Sequence, residues 1–329
     1  MRRNFFLSTL VLMVLASHAR SPFPSAPQSA RAEERIRIGV SRTSPGFLPT
    51  VVAEKRGFYA KYGLTAEHVQ ISLAIAVNAL LTGDLDYAVS VAQPVSAAVK
   101  GMPVKLVMMT QDKLAFFMMV RPGIEKVTDL RGGKVVGISY PGSTSQSVAE
   151  AILRHHGLTP GKDVHFLRTG DDMGRLVALE AGRIDAAVGS PPLNLYGARK
   201  GYKVLVWAWN YVALPQNAVA VTDKKLQQSP DQVKRMIKAT IEGLQFIKER
   251  KEEAIEILYQ WSKSDRETAR AMFEGYYPAY SSDGSMRQET LQAAIDEALM
   301  RAKIDKKVPL SQIADPRPLL EAQREASLR

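Results

Sequence analysis

From Ile36 onward, short apolar runs alternate with longer stretches whose apolar residues recur every three or four positions. The runs suit strands buried on both faces, and the longer period suits helices with one face in a core. I-R-I-G-V (36–40) reads as a strand, S-R-T-S-P-G as a loop, and L-P-T-V-V-A-E-K-R-G as a helix with proline in its first turn, where a missing N–H costs nothing. E-H-V-Q-I is the next strand, A-V-N-A-L-L-T-G a helix stopped by Gly83, D-Y-A-V-S a strand, V-S-A-A-V-K-G a helix and V-K-L-V-M-M-T a strand. This order predicts a mainly parallel sheet covered by helices.

The order then repeats. K-V-V-G-I-S (134–139) is a strand, Y-P-G-S-T-S a loop, S-V-A-E-A-I-L-R-H-H-G-L a helix, D-V-H-F-L a strand, and R-L-V-A-L-E-A-G a helix leading into I-D-A-A-V-G-S. The phrase A-L-x-x-G-x-[LI]-D-x-A-V occurs at 79–89 and again at 178–188. Pro45-Gly46 matches Pro141-Gly142, Val52-Ala53-Glu54 matches Val148-Ala149-Glu150, and Gly63-Leu64-Thr65 matches Gly157-Leu158-Thr159, all in the same sequence. Collinear matches imply two lobes with a common plan, not a solenoid.

After Trp209 the texture changes. Q-N-A-V-A-V-T-D reads as a strand returning to the first lobe, and S-P-D-Q-V-K-R-M-I-K-A-T-I-E-G-L opens a helix with a Ser cap and a first-turn proline. Further helices are expected around 252–262, 265–276 and 287–302, followed by a turn-rich wrap through K-K-V-P-L-S-Q-I-A-D-P-R-P-L-L.

Composition narrows the class. A chain of 329 residues, 46% hydrophobic and 23% charged, has room for two ordinary cores. Its beginning differs in kind: Arg2 and Arg3 precede an apolar run, Phe5 to Ala16, too short to span a bilayer, which is the pattern of a secretory signal peptide. We assign it to 1–32, with cleavage after Ala30-Arg31-Ala32 preferred over Ser17-His18-Ala19; R-R-N-F-F-L also overlaps a twin-arginine export signal. The expected location is therefore the periplasm. The formal charge of +11 falls to +7 once the four arginines of 1–32 are set aside, and the remainder is dispersed, so no nucleic-acid partner is expected. With no cysteine, disulfides, thiolate metal sites, thiol nucleophiles and a lipidated N-terminal cysteine are excluded, and the histidines have no metal-binding spacing.

Taken in order, P-T-V-V-A-E-K-R-G-F-Y-A-K-Y-G-L, A-L-L-T-G-D-L-D-Y-A-V-S, K-G-M-P-V-K-L-V, V-T-D-L-R-G-G-K-V-V-G-I and A-L-E-A-G-R-I-D-A-A-V-G-S-P-P resemble the nitrate/sulfonate/taurine and thiamine-precursor branch of periplasmic substrate-binding proteins serving ABC importers. The resemblance covers about Arg35 to Leu320. It implies a type II periplasmic-binding-protein fold, α/β in both lobes, with the ligand cleft between them. Lobe one would comprise 35–118 plus 220–322 and lobe two 119–219, with 323–329 as a tail. The crossings between lobes would lie near Val120-Arg121-Pro122 and Asn217-Ala218. The implied partners are a small-molecule ligand and an importer permease with its ATPase; a monomer without cofactor or metal is expected.

In open α/β sheets, ligands gather at the carboxyl ends of strands, where helix N-termini present free N–H groups. Three loops qualify, nominating Ser44 and Phe47, Ser90 and Gln93, and Gly142-Ser143-Thr144; the last suits a carboxylate, sulfonate or amide oxygen, weighed against simple helix capping. Ser190 ends the second copy of the repeated phrase, where Pro191-Pro192 stiffen a turn whether or not it meets ligand. Trp207 and Trp209, two apart in a strand-like run, would share a face and either stack on a ring or pack in the core. Arg42 and Arg168 are possible anion partners. The paired Asp86 and Asp185 sit at strand starts and are expected to cap the helix-to-strand turn, not to form a catalytic dyad. An exported, non-enzymatic solute receptor is the reading; an enzyme on the same fold acting on a small pyrimidine or carboxylate, or a sensory ligand-binding component, are the alternatives.

Overall fold

The computed structural model describes residues 33–41 and 43–327; the expected leader and Arg42 lie outside them. Along the chain come β1 (Glu34–Val40), β2 (Leu64–Gln70), β3 (Tyr87–Val89), β4 (Val104–Gln111), β5 (Phe117–Val120), β6 (Lys134–Ile138), β7 (Val164–Arg168), β8 (Ala186–Gly189), β9 (Lys203–Trp207) and β10 (Asn217–Thr222). They form two five-stranded sheets, β2-β1-β3-β10-β4 and β7-β6-β8-β5-β9.

In each sheet the fourth strand of that order is antiparallel to both neighbours, while the three before it run parallel. The cause is connectivity. β5 and β10 are the strands entered directly from the other sheet, and a chain arriving at the carboxyl ends of its new neighbours must run back against them. The crossings are therefore 112–116 and 208–216, both earlier than expected. Phe117–Val120 already pairs with β8 and β9, and Asn217 and Ala218 already pair with β4. By sheet membership, the lobe boundaries placed after 118 and after 219 move to before Phe117 and before Asn217.

The repeated phrase does the same work in both sheets. A Cβ on Gly39 of β1 would come within 2.5 Å of Leu85, and one on Gly137 of β6 within 2.5 Å of Ile184. Leu85 and Ile184 are the [LI] of the phrase, so each fills the gap that a glycine leaves on the adjacent strand. Asp86 and Asp185 correct the capping expectation: each carboxylate accepts from a backbone N–H of that adjacent strand, at Arg37 and Val135, not from its own turn.

Apolar clusters cover both faces of each sheet. The helix Pro230–Glu249 buries Val233, Met236, Ile237 and Leu244 against the first sheet. Met108, Met109, Met118 and Met119 are fully buried core residues. The C-terminal wrap contains two helices, Leu310–Ile313 and Arg317–Ser327; Pro318 falls in the first turn of the second, where it is tolerated. Among the described residues no helix is long and apolar enough to cross a membrane.

Candidate functional site

Where the carboxyl ends of strands from the two sheets approach each other lies a cavity of about 540 Å³. The loops after β1 and β3, the start of the helix Thr144–His155, both crossing segments and the end of the helix Gln288–Ala302 enclose it. Such a volume suits a small organic molecule. Phe47, Leu114, Phe116 and Leu214 provide apolar walls, and Ser44, Ser90, Gln93, Gln216 and Asn217 provide polar groups.

Local sequence sets these groups. Ser44 caps the 3-10 turn Pro45–Phe47, accepting from Gly46 N–H. Phe47 is turned inward and is 4% exposed, belonging at once to the first sheet's core and to the cavity wall. The helix Ala92–Val99 opens at Val91 with no side-chain cap, and its first turn borders the cavity. There Ser90 Oγ donates to Gln93 Oε1 at 2.7 Å.

Of the expected residues, Ser44, Phe47, Ser90, Gln93 and Thr144 line the cavity. Gly142 and Ser143 do not, because their loop consumes its own polar groups: Gly142 N–H donates to Gln146 Oε1 at 2.7 Å, and Ser143 caps the helix while its hydroxyl bonds Ser145 Oγ at 2.9 Å. Arg168 is exposed at the end of edge strand β7, away from the cavity. Ser190 is buried and donates to Asp172 Oδ2 at 2.8 Å. Trp209 lies in the 3-10 turn Ala208–Asn210 and not in a strand, since β9 ends at Trp207. The two indoles stack on each other at 4.3 Å between centroids, Trp207 packing on the second sheet's core and Trp209 on the first. Neither lines the cavity. His155 and His156 both pack on Tyr211 of the second crossing.

Several residues escaped the sequence reading. Arg301, at the end of the helix Gln288–Ala302, reaches across to Ser147 Oγ at 3.2 Å and pairs with Glu297 one turn back; both charged residues line the cavity. An arginine in the last turn of an amphipathic helix gives no local hint of this. Arg175, 3% exposed, is the buried arginine of the second sheet: it donates to Ser139 Oγ at 2.9 Å and to Gly170 O at 3.1 Å, and bonds Asp172. The repeat offered one clue, since its counterpart position in the first lobe is the buried Ala76. Gln216 and Asn217 were read as the start of a strand, and Asn217 also as a crossing between lobes, but neither as a cavity residue. Among the described residues no group of three or more His, Cys, Asp or Glu is placed to hold a metal ion.

The NMT1/THI5-like family profile matches residues 44–254, more than half of the chain. This chain belongs to the NMT1/THI5-like family. The chain is similar to the riboflavin-binding protein RibY of Chloroflexus aurantiacus, 25% identical over 276 residues that cover 77% of this chain and 76% of RibY. It is also similar to the nitrate/nitrite binding protein NrtA of a Nostoc species, 22% identical over 276 residues that cover 71% of this chain and 61% of NrtA. In structure it resembles the periplasmic sulfonate-binding protein SsuA of Methylobacillus flagellatus, with a TM-score of 0.73 at 17% identity over 91% of this chain and 96% of SsuA. The fold is thus that of the periplasmic binding proteins.

Proposed function

We propose that this member of the NMT1/THI5-like family is an exported receptor that captures a small organic or oxyanionic solute between its two sheets and presents it to an ABC-type permease. The observation that carries this reading is the 540 Å³ cavity, walled by loops of the first sheet, by Thr144 of the second lobe and by both crossings. A solute held there touches both lobes only when they are close, so binding shifts the population toward closure, and the closed surface is what a permease reads. Contacts already bridge the lobes: Arg301, which lines the cavity, donates to Ser147, and Gly275 of the helix Arg266–Tyr276 packs so near Pro191 that a Cβ on it would lie 2.4 Å away. The relatives named for riboflavin, nitrate and sulfonate indicate how widely the cargo varies on this plan. The apolar body of the cavity favours an organic molecule over an inorganic ion.

A thermal-shift panel of flavins, pyrimidines, aromatic carboxylates, sulfonates, nitrate and bicarbonate tests the reading. At least one solute is expected to raise the melting temperature in a concentration-dependent way, and substitution of Phe47 or Gln93 should weaken that response. No shift with any solute, from protein shown to be folded, would count against it.

A further inference from the structure

Two carboxamides in the cavity have their orientation dictated by backbone groups. Asn217 Nδ2 donates to Gly46 O at 3.0 Å and to Gln111 Oε1 at 2.7 Å. A carbonyl can only accept, so the nitrogen of Asn217 must face Gly46, and both of its N–H bonds are used. What remains for the cavity is Oδ1, an acceptor to which no described residue donates. The neighbouring Gln216 is fixed in the opposite sense. Ala115 N–H donates to its Oε1 at 2.7 Å, which leaves Nε2, a donor. Asn217 is 7% exposed, so its carbonyl, once a ligand excludes water, needs a donor from that ligand.

Charge points the same way. Among the described residues the charged side chains lining the cavity are Glu297 and Arg301, and they pair with each other. Among the described residues no surplus positive charge remains to offset the desolvation of an anion.

We propose that Asn217 is the specificity-determining residue of this cavity, selecting solutes that carry an N–H donor beside a carbonyl, as on the edge of a neutral cyclic amide, and discriminating against oxyanions. Gln216 Nε2 would donate to the ligand carbonyl, the ligand N–H would donate to Asn217 Oδ1, and the ring would lie against Phe47, Phe116 and Leu214. An oxyanion offers only acceptors and would set oxygen against oxygen at Asn217. This inference rests on the cavity being the solute site proposed above.

The test uses the folded protein and isothermal titration with matched probes: uracil and lumiflavin, their counterparts methylated at the amide nitrogen, ethanesulfonate and nitrate. The expected result is that at least one N–H compound binds, that its N-methyl counterpart binds about 10- to 100-fold more weakly, and that the oxyanions bind more weakly than the N–H compound. Asn217→Leu should erase the difference between the N–H and N-methyl forms; the comparison on the unaltered protein stands even if this variant fails to fold. Equal binding of the N–H and N-methyl forms, or preferential binding of ethanesulfonate or nitrate, would overturn the role of Asn217 and leave the receptor reading intact. Binding of no probe would overturn this inference, and a broader panel that also fails would remove the receptor reading with it.

Discussion

Asp185 and Val135 hold each other by two bonds: Asp185 N–H donates to Val135 O at 2.7 Å, and Val135 N–H donates to Asp185 Oδ2 at 2.9 Å. In the first sheet Asp86 and Arg37 repeat the arrangement at 3.0 and 2.8 Å. The repeated phrase thus carries an aspartate that clamps the next strand at the end of the sheet remote from the cavity. Asp185→Ala or Asp86→Ala should each lower stability by about 2 kcal/mol. Solute affinity should not change. Urea denaturation and calorimetric titration of each variant check the two halves of this expectation.

The glycines facing Leu85 and Ile184 should be equally sensitive. Gly39→Ala and Gly137→Ala each force a methyl into space occupied by a buried branched side chain, at an expected cost of about 1–3 kcal/mol. Pairing Gly137→Ala with Ile184→Ala should recover part of the loss, and a double-mutant cycle measures the coupling.

Arg175 organises the ends of β6 and β8 through Ser139, Asp172 and the Ser190 to Asp172 bond. Replacing it by Met strips Ser139 and Asp172 of a charged donor, and a destabilisation of about 3 kcal/mol is expected. Chemical denaturation reads the loss directly, and a change within 0.5 kcal/mol (roughly the scatter of surface substitutions) would show that the guanidinium does not hold this network.

The C-terminal helix should be acid-labile. Hydrogen bonds from Lys234 and then Lys238 pull the Glu325 carboxyl down to about 2 from an ordinary value of 4.5. A carboxyl with a depressed folded-state value stabilises the fold above its unfolded value and loses that contribution as pH falls through the folded one. Docking of the helix Arg317–Ser327 onto Pro230–Glu249 should therefore weaken progressively between about pH 4.5 and 2. Hydrogen exchange of that helix checks this, and Glu325→Gln should flatten its dependence over the same range.

Much of this plan was legible because strands and helices carry different apolar periods, and because the second lobe repeats the first. What was missed depends on tertiary neighbours. The first crossing was placed near Val120-Arg121-Pro122, which includes a conspicuous loop pair, whereas the true crossing contains Leu114 and Ala115, which are buried. Trp209 was assigned by a period of two that stops at Ala208, where the chain turns. Ser143 and Thr144 differ in whether their side chains serve the loop or the cavity, a matter of rotation around a helix start that spacing alone does not fix. Arg301 meets Ser147 across 154 residues, and no local pattern records that distance.

The cysteine-free chain allows the central claim to be measured directly. Ile75, 54% exposed on the helix after β2, and Val177, 52% exposed on the helix after β7, can each be replaced by cysteine and spin-labelled, one on each lobe. With any solute that raises the melting temperature, pulsed electron resonance should show a narrower distance distribution shifted from that of the solute-free protein, as two lobes settle around a ligand. An unchanged distribution at saturating solute would contradict the account.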